Sequence, residues 1–326
     1  MKNLIKKYFK SLINRKGFKT KRKLIIFESD DWGSIRTKDR KTLNYLNKIN
    51  PNIKNERFTQ LDSIASEDDL SALFEVLNSV KDSNSNPACI TANVCTANPD
   101  FKKIKDSGFN KFYFEKFTET LSKYSTKNNL FDLWNDGEKQ DLFKPQLHGR
   151  EHLHSLLWLK ELKSGNSDLI KAFELNSFGI PYKAIHRQKR KNLQAALDKN
   201  KMPNEFEFQK KWFKDAVNIF KQSFGYYSST FISPAYIWHD DMHKIFTNHK
   251  IKSLQGITIQ YQPSNLLSKY RMKFHYTGQI DKKNGLLYTV RNCFFEPVSM
   301  QEKDWVNYTL SQIDKSFDNN QPAIIG

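Results

Sequence analysis

Lys23-Leu24-Ile25-Ile26-Phe27-Glu28 is a short run rich in apolar and β-branched residues, and it stops at Ser29-Asp30-Asp31-Trp32-Gly33. A buried strand that ends in adjacent carboxylates fits an α/β chain, in which largely parallel strands alternate with helices and functional side chains gather at the carboxyl ends of strands. The same alternation continues outward from this run. The spacing predicts a helix over 66–80, opened by Ser66 and an acidic first turn. It predicts strands over 88–95, 143–148, 229–233, 251–261 and 286–295, and a final one over 321–326. Further helices are expected from about residue 150, over 205–224 and over 302–317, with a Lys-rich helical insertion over about 164–203. No repeat or linker divides residues 23–326, so one domain is expected there.

A chain of 326 residues with 38% hydrophobic and 13% aromatic residues excludes a disordered segment or a mini-protein. Its 53 Lys+Arg against 35 Asp+Glu give a net charge of +18. That excess is spread along the whole chain without a nucleic-acid-binding motif, so it reads as a solvated surface, and no nucleic-acid partner is expected. Cys89, Cys95 and Cys293 cannot all pair and are expected as free, buried thiols in a reducing compartment. No apolar run of about 18 residues is present to span a bilayer. Residues 1–22 form a basic amphipathic segment with Leu4, Ile5, Tyr8, Phe9, Leu12 and Ile13 at helical spacing. It suits a short helix packed on the domain or one resting on an anionic membrane surface. Lysines interrupt it too often for a signal peptide, so a cytoplasmic protein is expected.

Three strand ends carry chemistry. At Asp30-Asp31, adjacent side chains point in different directions, so one carboxylate can hold a metal while the other stays free as a base; a polar turn capping a helix is the plain alternative. His148-Gly149-Arg150-Glu151-His152 sets two histidines at i and i+4, which on a helix share one face and with a carboxylate make a three-ligand site. The alternative is a pair of satisfied structural histidines. His154 is ranked as a supporting or surface residue. Ser233-Pro234-Ala235-Tyr236-Ile237-Trp238 can wall a sugar cleft, or simply pack at the rim of the core.

Taken in order, an apolar strand with Asp30-Asp31, then His148-x-x-x-His152, then Pro234-x-Tyr236, the chain resembles the NodB-homology polysaccharide deacetylases of carbohydrate esterase family four. The resemblance covers about residues 23–326 through short, divergent motifs. It implies a distorted (β/α) barrel, commonly seven-stranded, and a divalent metal, most often zinc, serving hydrolysis of an N-acetyl or O-acetyl group on a carbohydrate. By the resemblance, Asp30 is the catalytic base and Asp31, His148 and His152 are the metal ligands. Tyr236 is the residue whose main-chain N–H lies near the oxyanion. Trp32, Pro234, Trp238, Arg150 and Arg291 are candidate substrate-binding residues.

The departures are specific. Glu28-Ser29 precede the aspartates and Trp32 separates them from Gly33, where the family has Thr-Phe-Asp-Asp-Gly. Gly149 replaces a Ser or Thr, and Ser233 stands where the family has an arginine that pairs with the catalytic aspartate. Arg150 or Arg291 is expected to substitute for it. No residue matches the family's C-terminal Leu-x-His acid: the expected acid is a histidine beyond residue 326, with His275 as second choice. The expected partner is an acetylated sugar, polysaccharide or lipid-linked glycan at a membrane's inner face. A catalytically impaired carbohydrate-binding protein on the same fold is the alternative.

Overall fold

The apolar runs resolve into a parallel sheet, and β1 (Ile25–Trp32) lies near one edge of it. The computed structural model describes residues 12–127, 129–180, 193–264, 270–299 and 302–326. In chain order the further strands are β2 (Ile90–Val94), β3 (Ala97–Pro99), β4 (Phe114–Lys116), β5 (Phe143–Leu147) and β6 (Thr230–Ile232). They are followed by β7 (Ser253–Ile257), β8 (Ile259–Pro263), β9 (Tyr270–Phe274), β10 (Leu287–Arg291) and β11 (Ala323–Ile325). Seven of them form one sheet in the order β10-β7-β6-β5-β2-β1-β11, with every pairing parallel. β3 with β4 and β8 with β9 make two small antiparallel ladders.

Past the end of β10, Cys293 forms an isolated parallel bridge to Ile325 of β11. The Cys293 N–H donates to Ile324 O (3.0 Å) and the Gly326 N–H to Cys293 O (3.2 Å). The two edge strands therefore touch at their carboxyl ends, although among the described residues no continuous ladder joins them. All parallel carboxyl ends thereby face one region, which is where an α/β fold places its site.

Helices cover the sheet with apolar stripes. The helix Glu67–Ser79 has the expected start: Ser66 and Asp69 form a reciprocal capping box that satisfies two orphan N–H groups. The helix Glu205–Phe224 buries Trp212, Phe213, Val217 and Phe220 against Leu147 of β5, Phe231 of β6 and Leu254 of β7. On β2 and β5, Ala92, Val94 and Phe143 pack with Phe117 and Trp134.

Several expectations shift. The strand expected over 251–261 is two, β7 and β8, separated at Thr258. The helix expected from residue 150 begins at Ser155 (Ser155–Lys163), so His148 and His152 lie on a loop rather than a helix. Within the insertion, a helix spans Ser167–Glu174, while 181–192 lie outside the described residues, as do residues 1–11 of the basic segment. Cys95 and Cys293 are buried and free as expected; Cys89 is exposed. No helix among the described residues is long and apolar enough to cross a membrane.

Candidate functional site

The pairing of β1 with β2 decides where the carboxylates point. Ser29 pairs with Ala92 and Trp32 with Val94, so β1 carries one residue more than β2 between these pairs. The irregularity holds Asp30 and Asp31, and Asp31 sits at φ 67, a left-handed conformation unusual for a side-chain-bearing residue. Such backbone strain persists only where surrounding structure fixes it, and here two arginines do. Arg291, at the end of β10, donates two parallel bonds to Asp30, Nη2 to Oδ1 at 2.6 Å and Nη1 to Oδ2 at 2.7 Å. Its Nε binds Glu28 Oε2 at 2.7 Å. Arg36 Nη2 binds Asp31 Oδ2 at 2.8 Å while its Nη1 is anchored on Asp62 Oδ1 at 2.8 Å.

With Oδ2 taken by Arg36, the other oxygen of Asp31 faces two imidazoles. His148 Nε2 lies 3.1 Å and His152 Nε2 3.6 Å from Asp31 Oδ1. The separation between donors around a tetrahedral zinc, with bonds of about 2.0–2.1 Å, is about 3.3–3.4 Å. His148 Nδ1 lies 2.9 Å from Ile232 O, and a carbonyl only accepts, so Nδ1 carries the proton and the ring is oriented by the backbone. Neutral His148 then points an Nε2 lone pair at a carboxylate oxygen. Two acceptors that face each other call for a positive charge between them, either a proton on nitrogen or a cation.

Electrostatics agree with that geometry. Burial pushes the Asp31 carboxyl up, but Arg36 and the two histidines more than offset it and hold it well below its ordinary 3.8. Burial likewise raises Asp30, and Arg291 reverses the effect to a net lowering. Burial lowers His148, yet its bond to Asp31 and the charge of both aspartates leave it raised. Burial dominates His152 and pushes it down to about 4, so it is neutral and ligand-competent at pH 7. The aspartates are the reachable members of the group, with side chains 22% and 27% exposed, whereas both histidines are buried. A pocket of ≈ 300 Å³ opens beside them, lined by Ser29 to Ser34, Arg36, Phe58, Leu61, Trp134 and Val298.

The loop of the histidines is pinned without a helix. His148 N–H donates to Val94 O (2.8 Å), and Gly149 O accepts from Thr96 N–H (3.0 Å). Gly149 has φ 101, and a Cβ there would run into the Trp212 ring, so this position needs glycine.

Other expected site residues fall on both sides of the line. Of the two candidate arginines it is Arg291 that pairs with Asp30, and Tyr236 Oη accepts a bond from its Nη1 (3.1 Å). The Tyr236 N–H donates to Ser233 O (2.9 Å), so it is spent within the turn instead of facing an oxyanion. Pro234 is buried at the start of that turn. Trp32 lines the pocket, and its buried indole N–H has no hydrogen-bond partner.

Arg150 does not face the aspartates. It pairs with Glu151 (Nη2 to Oε1, 2.8 Å) and Asp215 (3.0 Å) and stacks on Phe114. Trp238 is core, its N–H given to His243 Nε2 at 3.1 Å. His275 has Nδ1 on Gln279 (3.2 Å), Nε2 on Gln260 (2.8 Å) and its ring stacked 4.0 Å from Tyr288. Burial pushes it down to about 4, and none of these contacts reaches Asp30 or Asp31. His154 is a buried cap of the helix Ser155–Lys163, not a surface residue. Sequence reasoning missed Glu28, Arg36, Asp62 and Asn93, which donates to Asp30 Oδ1 at 2.9 Å. Asn93 stands near the carboxyl end of β2, and the strand-end rule that found Asp30 would have flagged it; Asp62 lies in a loop with no such signal.

No protein-family profile and no curated protein matches the chain. Among solved structures, it has a likeness to 4-alpha-glucanotransferase from Thermococcus litoralis, with 10% identity and a TM-score of 0.36, over 92% of this chain. The chain spans 32% of that enzyme's length.

Proposed function

We propose that this chain is a metal-dependent carbohydrate deacetylase, built on the distorted barrel of the NodB-homology enzymes that its motifs resemble. The observation that carries the reading is the single oxygen of Asp31 flanked by His148 and His152 while Asp30 stands beside it, locked to Arg291. Asp31, His148 and His152 would hold a divalent cation, zinc in first place given two imidazoles and one carboxylate. Such a cation supplies a lowered pKa for water and polarises the acyl oxygen.

The chain's own residues do the rest. Asp30, kept ionised by the two parallel bonds from Arg291, takes the proton of the attacking water as general base. Arg36 holds Asp31 by Oδ2 and so presents Oδ1 alone to the cation. Trp32 contributes to the pocket wall beside the aspartates, where a sugar ring could lie against it. In this reading the substrate is an acetylated sugar of a surface-polysaccharide precursor in the cytoplasm. The +18 charge favours pyrophosphate-bearing or lipid-linked forms at an anionic membrane face.

The test is acetate release from N- and O-acetylated sugars by the wild type, Asp30→Asn and Asp31→Ala. Release by the wild type alone is expected; equal release by all three contradicts the reading. A second reading, a carbohydrate-binding protein without turnover, is favoured by the engagement of both His275 nitrogens, which leaves the acid unassigned. It predicts glycan binding that survives Asp30→Asn and no acetate from either protein.

A further inference from the structure

Directly after β2 stands a residue that the hydrolytic reading leaves unused. The Cys95 N–H donates to Trp32 O (2.9 Å), which seats the residue against the irregular end of β1. Its thiol is free and fully buried, and burial together with the Asp31 carboxylate holds it well above the usual thiol range despite Arg36, so it stays protonated until a cation displaces the proton. Among the described residues, one group of three metal-type donors has all its ligand atoms within 4.8 Å of one another, and that group is Asp31, Cys95 and His148. His152 meets the same Asp31 oxygen at 3.6 Å but is not part of that tightest group.

Resting on the reading of this site as a metal centre, we propose that Cys95 is a further ligand of the metal, joining Asp31, His148 and His152, and that its sulfur selects a thiophilic divalent cation. A carboxylate and two imidazoles suit many divalent ions, whereas a thiolate favours zinc or cadmium over magnesium or manganese. On binding, the Cys95 S–H bond breaks, the sulfur electron pair goes to the cation and the proton leaves to solvent, so one additional proton is released per metal bound. The structural alternative is a thiol serving as a small buried hydrophobe, as Cys293 does among Ile313, Ala323 and Ile325.

Cobalt(II) titration of the metal-stripped full chain separates the two, because a sulfur ligand adds a near-ultraviolet charge-transfer band to the visible bands of the ion. The wild type is expected to show both, and Cys95→Ser to keep the visible bands and lose the near-ultraviolet one. That variant should also bind zinc at least about tenfold more weakly, with magnesium and manganese affinity less affected. A Cys89→Ser, Cys293→Ser double variant should retain the band, which assigns it to Cys95 even if Cys95→Ser does not fold. Visible bands without a near-ultraviolet band in the wild type overturn the ligand assignment alone. No cobalt bands at all overturn the metal-centre reading and this assignment with it.

Discussion

Among the described residues, the buried histidines at the strand ends and those packed around Trp238 differ in what their ring nitrogens face. Around Trp238, His243 has Nδ1 on Asp281 (3.0 Å) and receives the Trp238 N–H at Nε2 (3.1 Å), while His275 is held by two glutamines and stacked on Tyr288. Each nitrogen of these two rings lies 2.8–3.2 Å from a protein atom, so this cluster is closed. At the strand ends, His148 and His152 turn Nε2 toward one carboxylate oxygen, and His152 Nδ1 has no hydrogen-bond partner at all. A buried ring nitrogen without a partner calls for an explanation, and a bound ligand beside it is one. Histidine count and burial are alike in the two regions; what differs is that the two strand-end rings share one carboxylate oxygen and that His152 Nδ1 has no partner.

That contrast breaks most visibly at Asp31. Asp31→Ala removes the oxygen both histidines face, and zinc content and acetate release are expected to fall to background, measured by metal analysis and product assay. Asp30→Asn is next: it should retain zinc yet lower kcat by about 10²–10⁴-fold, the usual contribution of a general base. Arg291→Met tests the clamp. Burial raises Asp30 and Arg291 lowers it, with the guanidinium prevailing. Without the guanidinium the pKa rises, so the acid limb of the kcat/KM profile should move to higher pH, with activity regained as pH increases. The smallest effect on turnover is expected in the closed cluster. His275→Ala should leave acetate release nearly unchanged but cost about 1–3 kcal/mol in a denaturant titration, because Gln260 and Gln279 lose a buried partner.

Legibility in the sequence follows the range of the interactions. The strand alternation, the Ser66 cap and the strand-end carboxylates are local signals, and the structure shows each. Periodicity suggested a helix from residue 150, but the left-handed Gly149, packed against Trp212 from a helix some 60 residues later, delays the start to Ser155. Arg150 and Arg291 look alike as isolated cations. Only the parallel sheet, whose two edge strands meet through Cys293 and Ile325, brings Arg291 to Asp30 and leaves Arg150 to Glu151 and Asp215. Trp238 looks the same in sequence whether it lines a cleft or fills a core, and here His243 and the apolar cluster claim it.

The central claim is that the two histidines sharing the Asp31 oxygen, rather than those near Trp238, hold a metal. Zinc stoichiometry measured on the wild type, His148→Ala, His152→Ala, His243→Ala and His275→Ala tests it directly. One equivalent is expected in the wild type and in the two closed-cluster variants, with loss in both strand-end variants. Equal zinc in all five proteins, or none in the wild type, would contradict it.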